Sequence, residues 1–431
     1  MRMRRTWAAV LAVLAWAGLA QAAQIEVATT PNGGVYAAGD KITWHLTVTG
    51  EGAADIKQID YALKRGGLTE IGKGTLPLTD GHATLETSLD KPGAVLAQLS
   101  AVGADGKKVT ALAGAIVDPY RIQPSAPRPD DFDAFWAAKL KELAAVPEDP
   151  VLEKMDSGNP NVDYWHITLG NINGTRVWGQ LARPKAGTKF PALLIVQWAG
   201  VYPLHKDWAV GRAAQGWLVL NISAHDLPID KPQSFYDNEP SVKDYPSIGN
   251  DDRDTSYFLR MYLGDYRAAD YLAHRPDWDG RTLVVTGGSQ GGMQSYVTAA
   301  LYPDITAMVC DVPAGADQTG PEVGRQCGWP MWWWQTQGKD AAKVRETARY
   351  FDTVNLASRI TCPALVGAGL IDETCPPEGC LAAYNQLKGP KQIILYERAG
   401  HGGDHSAYWA ASEARLRALR EGQGAAAWTQ K

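Results

Sequence analysis

The chain has 431 residues, enough for two domains of ordinary size. Its formal net charge of −5, with no basic run, argues against nucleic acid as a partner. Beyond the first residues, no stretch is long and apolar enough for a membrane span of about 20 residues, so stable insertion is not expected.

Residues 1–22 read as an export leader. Arg2, Arg4 and Arg5 form a basic start, Trp7 to Leu19 is a short apolar run, and Ala20-Gln21-Ala22 is an A-x-A cleavage signal. The expected location is periplasmic or extracellular. In that setting the five cysteines, Cys310, Cys327, Cys362, Cys375 and Cys380, leave at least one thiol unpaired or bonded to another chain, and their spacing fixes no connectivity for bridges among the others.

Residues 24–118 read as all-β. Lys41 to Val48 and Ile59 to Leu63 alternate apolar and polar, and Ala94 to Leu99 and Val109 to Val117 supply further strands. Asn32-Gly33-Gly34, Arg65-Gly66-Gly67, Asp80-Gly81 and Asp105-Gly106 punctuate them. Short strands at this spacing predict an immunoglobulin-like sandwich without a disulfide. A proline-rich connector over 119–130 then predicts a sandwich that works separately from whatever follows. Asp130 or Asp131 is the expected cap of a helix whose apolar face carries Phe132, Phe135, Trp136, Leu140 and Leu143.

From residue 131 to 431 strands and helices alternate, the pattern of an α/β fold with a parallel sheet. Eight strands are expected: 162–167, 176–181, 192–197, 217–222, 283–286, 307–310, 364–368 and 392–396. Their order fits an α/β-hydrolase. Gly287-Gly288-Ser289-Gln290-Gly291 reads G-x-S-x-G between an apolar strand and an Ala-rich helix, which is the setting of a nucleophile elbow.

A serine nucleophile needs a base, and the base needs an orienting acid. Asp372 follows the strand ending at Ala368, and His401 follows the strand ending at Tyr396. Both are therefore expected at the carboxyl edge of the sheet, where such folds bind ligands. Ser289 is the expected nucleophile, His401 the base and Asp372 the acid. Glu373 and Asp311 compete as acid, and His405 competes as base. The expected oxyanion donors are the backbone N–H groups of Gln290 and Val201, with Tyr202 as the alternative to Val201. No spacing of histidines or cysteines suggests a metal site, and no cofactor is expected.

These residues resemble the acetyl xylan esterase and cephalosporin C deacetylase family of carbohydrate esterases. The likeness lies in Gly287 to Gly292, in Tyr257 to Ala268, in Gly369-Leu370-Ile371-Asp372, in Cys375-Pro376-Pro377, in Gly400-His401 and in Asp131 to Trp136. It implies the triad Ser289, Asp372 and His401. Two departures stand out. Ala199-Gly200-Val201 replaces an H-G-Y oxyanion loop, and Ser223-Ala224-His225-Asp226-Leu227 replaces an R-G-Q motif. His225 is thereby placed on the substrate side, with Trp198 and Tyr202 as further wall residues. Trp329, Trp332, Trp333 and Trp334 fall where hydrolases of this fold carry lid insertions, and either stack on sugar faces or pack the lid.

The expected function is a secreted serine esterase that removes acetyl or other small acyl groups from plant polysaccharide or oligosaccharide. Another serine hydrolase of this scaffold, such as a lactone hydrolase or peptidase, is the first alternative. A carbohydrate-binding surface protein with a vestigial triad is the second.

Overall fold

The computed structural model describes residues 22–28, 30, 32–103, 105–423 and 428. Apart from Ala22, the expected leader lies outside the described residues. The first part holds β1 (Gln24–Val27), β2 (Val35–Tyr36), β3 (Ile42–Thr49), β4 (Gln58–Arg65), β5 (Thr69–Pro77), β6 (His82–Thr87), β7 (Gly93–Val102) and β8 (Lys108–Val117). They form a three-stranded sheet, β1-β3-β6, and a five-stranded sheet, β2-β8-β7-β4-β5. Ile42, Trp44 and Leu46 from one sheet share a core with Ile59, Val95, Ala97, Leu99, Ala113, Ala115 and Val117 from the other.

The period of two in β7 and β8 puts their remaining side chains on the opposite face. Ala94 and Ile116 lie there, and they are buried in the core of the second part of the chain. This sheet is thus covered on both faces. The connector is also docked rather than free. Ser125 donates from its N–H and Oγ to Asp317, at 2.9 and 2.6 Å. Asn385 Nδ2 donates to the carbonyls of Pro119 and Ile122, both at 2.9 Å. Proline spacing alone suggested a loose tether, but the partners of these backbone groups are far away in sequence.

The second part comprises α1 (Phe132–Ala144), β9 (Val151–Met155), β10 (Val162–Gly170), β11 (Arg176–Pro184), β12 (Phe190–Val196), α2 (Lys206–Ala214), β13 (Leu218–Ile222), α3 (Gln233–Asp237), α4 (Tyr257–Ala273), β14 (Trp278–Gly288), α5 (Gln290–Leu301), β15 (Ala307–Asp311), α6 (Ala341–Phe351), α7 (Thr353–Ala357), β16 (Ala364–Gly369), α8 (Pro377–Gln386), β17 (Lys391–Tyr396) and α9 (Ser406–Arg420). One nine-stranded sheet runs β17-β16-β15-β14-β12-β13-β11-β10-β9. The eight expected strands are present. The ninth, β9, is an edge strand whose residues are largely exposed, so it carries no buried alternation that sequence could reveal.

The pairs from β13 through β17 are parallel, and those from β13 through β9 are antiparallel. Parallel strands covered on both faces need apolar residues on both. Leu283 and Val285 of β14 enter one core, and Val284 enters the other. Asp131 precedes α1 but makes no capping bond. Its carboxylate instead accepts from Arg253, at 2.7 Å, and from the Tyr350 hydroxyl. All five cysteines are free thiols. Cys380 Sγ donates instead to the carbonyls of Pro313 and Cys375, both at 3.5 Å.

Candidate active site

Chain order reverses between β13 and β12, so β12 lies beside β14. The loop after β12 and the turn after β14 therefore meet at the carboxyl edge of the sheet, the usual ligand crevice of such sheets. Ser289 is the turn, with φ 57° and ψ −121°, a conformation that costs a non-glycine residue energy. Two glycines of the motif, Gly287 and Gly291, leave no room for a side chain. A Cβ on Gly291 would lie 2.4 Å from the Val196 carbonyl oxygen, and one on Gly287 would lie 2.6 Å from the Gly291 backbone. The turn is held by Ser289 N–H donating to Asp311 O and by Ala314 N–H donating to Ser289 O, both at 3.0 Å.

Ser289 Oγ lies 2.8 Å from His401 Nε2. His401 Nδ1 lies 3.0 Å from Asp372 Oδ2. The other carboxylate oxygen of Asp372 accepts from the N–H groups of Thr374 and Cys375, both at 2.8 Å. A carboxylate only accepts, so Nδ1 carries the proton and Nε2 offers its lone pair to the serine. The series can take a proton from Ser289 and stabilise the imidazolium that results.

The competing residues have other partners. Glu373 accepts from Gln98 in the sandwich, at 2.9 Å. Asp311 and His405 pair with each other, with Nδ1 2.8 Å from Oδ2. His405 Nε2 faces the Gly400 carbonyl at 3.2 Å, and the Tyr396 hydroxyl donates to Asp311 at 2.6 Å. This pair, with His405 buried, anchors the glycine just before His401. Sequence offered both residues as triad candidates; their supporting role depends on contacts no spacing displays.

His225 is not a wall residue. It is buried, and its Nε2 lies 3.0 Å from the Gly200 carbonyl while Nδ1 lies 2.6 Å from the Tyr257 hydroxyl. The carbonyl accepts only, so Nε2 donates and Nδ1 accepts from Tyr257. Gly200 C=O and Val201 N–H belong to one planar trans peptide and point in opposite directions. Fastening the carbonyl to His225 thus also fixes the aim of the Val201 N–H. After the neighbouring strand β14, Gln290 opens α5, where an N–H has no intrahelical acceptor. Its side chain is tied by the Tyr245 hydroxyl, 2.5 Å from Oε1.

Burial, helped by the Arg260 cation, pushes the His225 pKa down to about 4 from 6.5. Between those values the unfolded chain binds a proton that the folded chain does not, so stability falls as pH drops from 6.5 towards 4. The loss expected from His225 is on the order of 3 kcal/mol. Melting temperatures measured across this range should show a steeper acid decline for the native protein than for His225→Gln, which keeps a donor for Gly200. Parallel curves would contradict this assignment.

The tryptophans divide. Trp332 is 1% exposed, donates to the Pro246 carbonyl and packs edge-on against Phe258. It belongs to the core, not to a sugar platform. Trp333 lies under the Arg345 guanidinium, and Trp334 is exposed. Trp329 touches Tyr245, the partner of Gln290. Trp198 is 45% exposed and stacks on Tyr202, whose hydroxyl donates to the Trp198 carbonyl at 2.9 Å. Trp198, Trp208 and Trp409 border a groove of 590 Å³ that also holds Arg212, Glu413 and Gly288. Trp208 and Trp409 lacked any sequence signal, because they become neighbours only when α2 and α9 pack on the same face.

Asp372, Cys375 and His401 present donor atoms within 4.8 Å of one another. The lone pairs of Asp372 and His401 are already engaged as described, and burial raises the Cys375 thiol well above its usual pKa. The set fits a proton relay better than a metal site.

A family model for acetyl xylan esterases matches residues 115–415. The chain belongs to the acetyl xylan esterase family. It is accordingly a carboxylic ester hydrolase. Acetyl esterase Axe7A of Xylanibacter ruminicola is 30% identical over 376 residues, covering 85% of this chain and 84% of that protein. Two solved structures share the fold, each with a TM-score of 0.59. The acetyl xylan esterase from Paenibacillus sp. R4 is 24% identical, over 70% of this chain and 98% of its own. Acetyl xylan esterase 1 from Thermoanaerobacterium sp. JW/SL YS485 is 22% identical, over 68% and 96%.

Proposed function

We propose that this esterase removes acetyl groups from plant polysaccharide or oligosaccharide through an acyl-enzyme on Ser289. The observation that carries this reading is the hydrogen-bonded series from Ser289 through His401 to Asp372. Ser289 Oγ attacks the acetyl carbonyl while His401 Nε2 takes its proton. The oxyanion is met by the N–H groups of Gln290 and Val201. His401 returns the proton to the departing sugar oxygen, leaving acetyl on Ser289. Water then attacks, again giving its proton to His401, and acetate leaves as Ser289 regains its proton. The substrate class is supported by membership of the family and by the exposed Trp198, stacked on Tyr202 in the loop after β12. Export is supported by the basic start, apolar run and A-x-A signal of residues 1–22. Among the described residues, no helix is long and apolar enough to cross a membrane. An immunoglobulin-like reading of the sandwich is supported by its strand order, with β2 parallel to β8 at the edge of the larger sheet.

Acetate release measured side by side on acetylated xylan, pectin and mannan tests the substrate. Turnover of at least one acetylated polymer is expected, with kcat/KM falling from acetyl to butyryl to octanoyl on synthetic esters. A preference for octanoyl would overturn the reading. Trp198→Ala should cost acetylated oligosaccharides about fivefold in kcat/KM, on the order of 1 kcal/mol for an aromatic face, and leave p-nitrophenyl acetate within about twofold. Equal losses on both substrates would remove Trp198 from sugar binding.

A further inference from the structure

The loop that carries Asp372 is wedged between two layers. On one side it meets the His401 loop: a Cβ on Gly400 would lie 2.9 Å from the Ile371 carbonyl oxygen. On the other it meets the N-terminal sandwich. A Cβ on Gly114 of β8 would lie 2.3 Å from the Leu370 carbonyl oxygen and 2.6 Å from its carbonyl carbon. Gly114 does not have the positive φ that would itself call for glycine. What demands glycine there is the backbone of the acid loop, two residues before Asp372.

Contacts around this point have the same sense. Gln98 of β7 donates to Glu373, the residue after Asp372. Thr30 donates from its N–H and Oγ to Glu397, just past β17, at 2.7 and 2.8 Å. The N–H of Ala94 donates to Glu378 of α8 at 3.0 Å, a carboxylate also paired with Arg325. Glu378 is buried, and an acceptor withdrawn from water is costly to leave unmatched. The sandwich therefore grips the acid loop before Asp372, just after it, and again at the helix that follows.

We infer that the sandwich is part of the catalytic apparatus: strand β8, through Gly114, sets the position of Asp372 beneath His401. This rests on the triad reading above. Gly114 is a positioning residue, since it acts through Leu370 and touches no reacting atom. The misplacement that an added methyl imposes falls on the orientation of the imidazole, not on groups that would hold the rest of the substrate. It should therefore appear in kcat and leave KM alone.

The test uses the full chain and compares Gly114→Ala with Gly72→Ala. Gly72 lies in β5 of the same sheet, and its added methyl would meet only Leu63, at an ordinary 3.6 Å. Gly114→Ala is expected to lose about 100-fold in kcat on p-nitrophenyl acetate, the scale of a 1 Å displacement in a catalytic site, with KM within about twofold. Gly72→Ala should match the native protein. Amide hydrogen exchange should quicken at Thr374 and Cys375, the donors to Asp372, and stay unchanged in the buried helix α5. If Gly114→Ala does not fold, Glu378→Gln carries the same test: it keeps the side-chain volume, weakens the acceptor for Ala94, and should quicken the same two amides and lower kcat. A folded Gly114→Ala or Glu378→Gln with native kcat and native exchange at Thr374 and Cys375 overturns the inference. Ser289→Ala assayed in parallel separates the two readings. If it stays active the triad reading fails, whereas if it is inactive and Gly114→Ala is fully active only the role of the sandwich fails.

Discussion

Ser289→Ala is expected to lower kcat on acetyl esters by about 10⁶-fold, the scale at which loss of a triad nucleophile removes covalent catalysis. The methyl of alanine fits where the serine Cβ already sits, so the turn at φ 57° keeps its shape and its bonds to Asp311 and Ala314. Melting temperature should stay close to native. Initial rates on p-nitrophenyl acetate, with protein purified away from host esterases, measure the effect. Retention of a tenth of native activity would mean that another group does the chemistry.

Asp372→Asn is expected to cost about 10⁴-fold in kcat. The amide preserves volume but cannot accept through both of its polar atoms. Asp372 uses both: Oδ2 faces His401 Nδ1, and Oδ1 receives the N–H groups of Thr374 and Cys375. With the amide oxygen kept on the two backbone donors, its NH₂ faces His401 and selects the tautomer protonated at Nε2. That nitrogen then cannot take the proton of Ser289. Glu373→Gln is the control: its amide oxygen can still accept from Gln98 Nε2, so the contact with the sandwich is kept; kcat should stay within about threefold. Comparable losses in both variants would reassign the acid.

The elbow and the triad were legible because each element announces itself locally. A buried strand, a glycine turn and a helix must be contiguous around Ser289, and Asp372 and His401 directly follow strands of their own. The choice of Asp372 over Glu373 was legible only as an expectation; the geometry adds that Glu373 turns to Gln98. What sequence concealed were contacts made at a distance. His225 looked like a substrate residue because it stands in a motif near the site, yet its ring is spent on Gly200 and Tyr257. Trp332 and Trp334 are near neighbours in one aromatic run, but one is core and the other surface. The connector prolines suggested independence, while the pairing of Ser125 with Asp317 and of Ala94 with Glu378 joins the two parts. Alternation in β8 did predict a strand; it could not say that its second face, with Gly114 and Ile116, is covered by the acid loop and the core beyond it.

Peptide mass spectrometry after stoichiometric labelling with a fluorophosphonate tests the role of Ser289 as nucleophile directly. One adduct is expected, on the peptide containing Ser289, formed in step with the loss of acetyl esterase activity and greatly slowed in His401→Ala. An adduct on a different residue, or complete labelling of Ser289 with acetyl esterase activity intact, would contradict it.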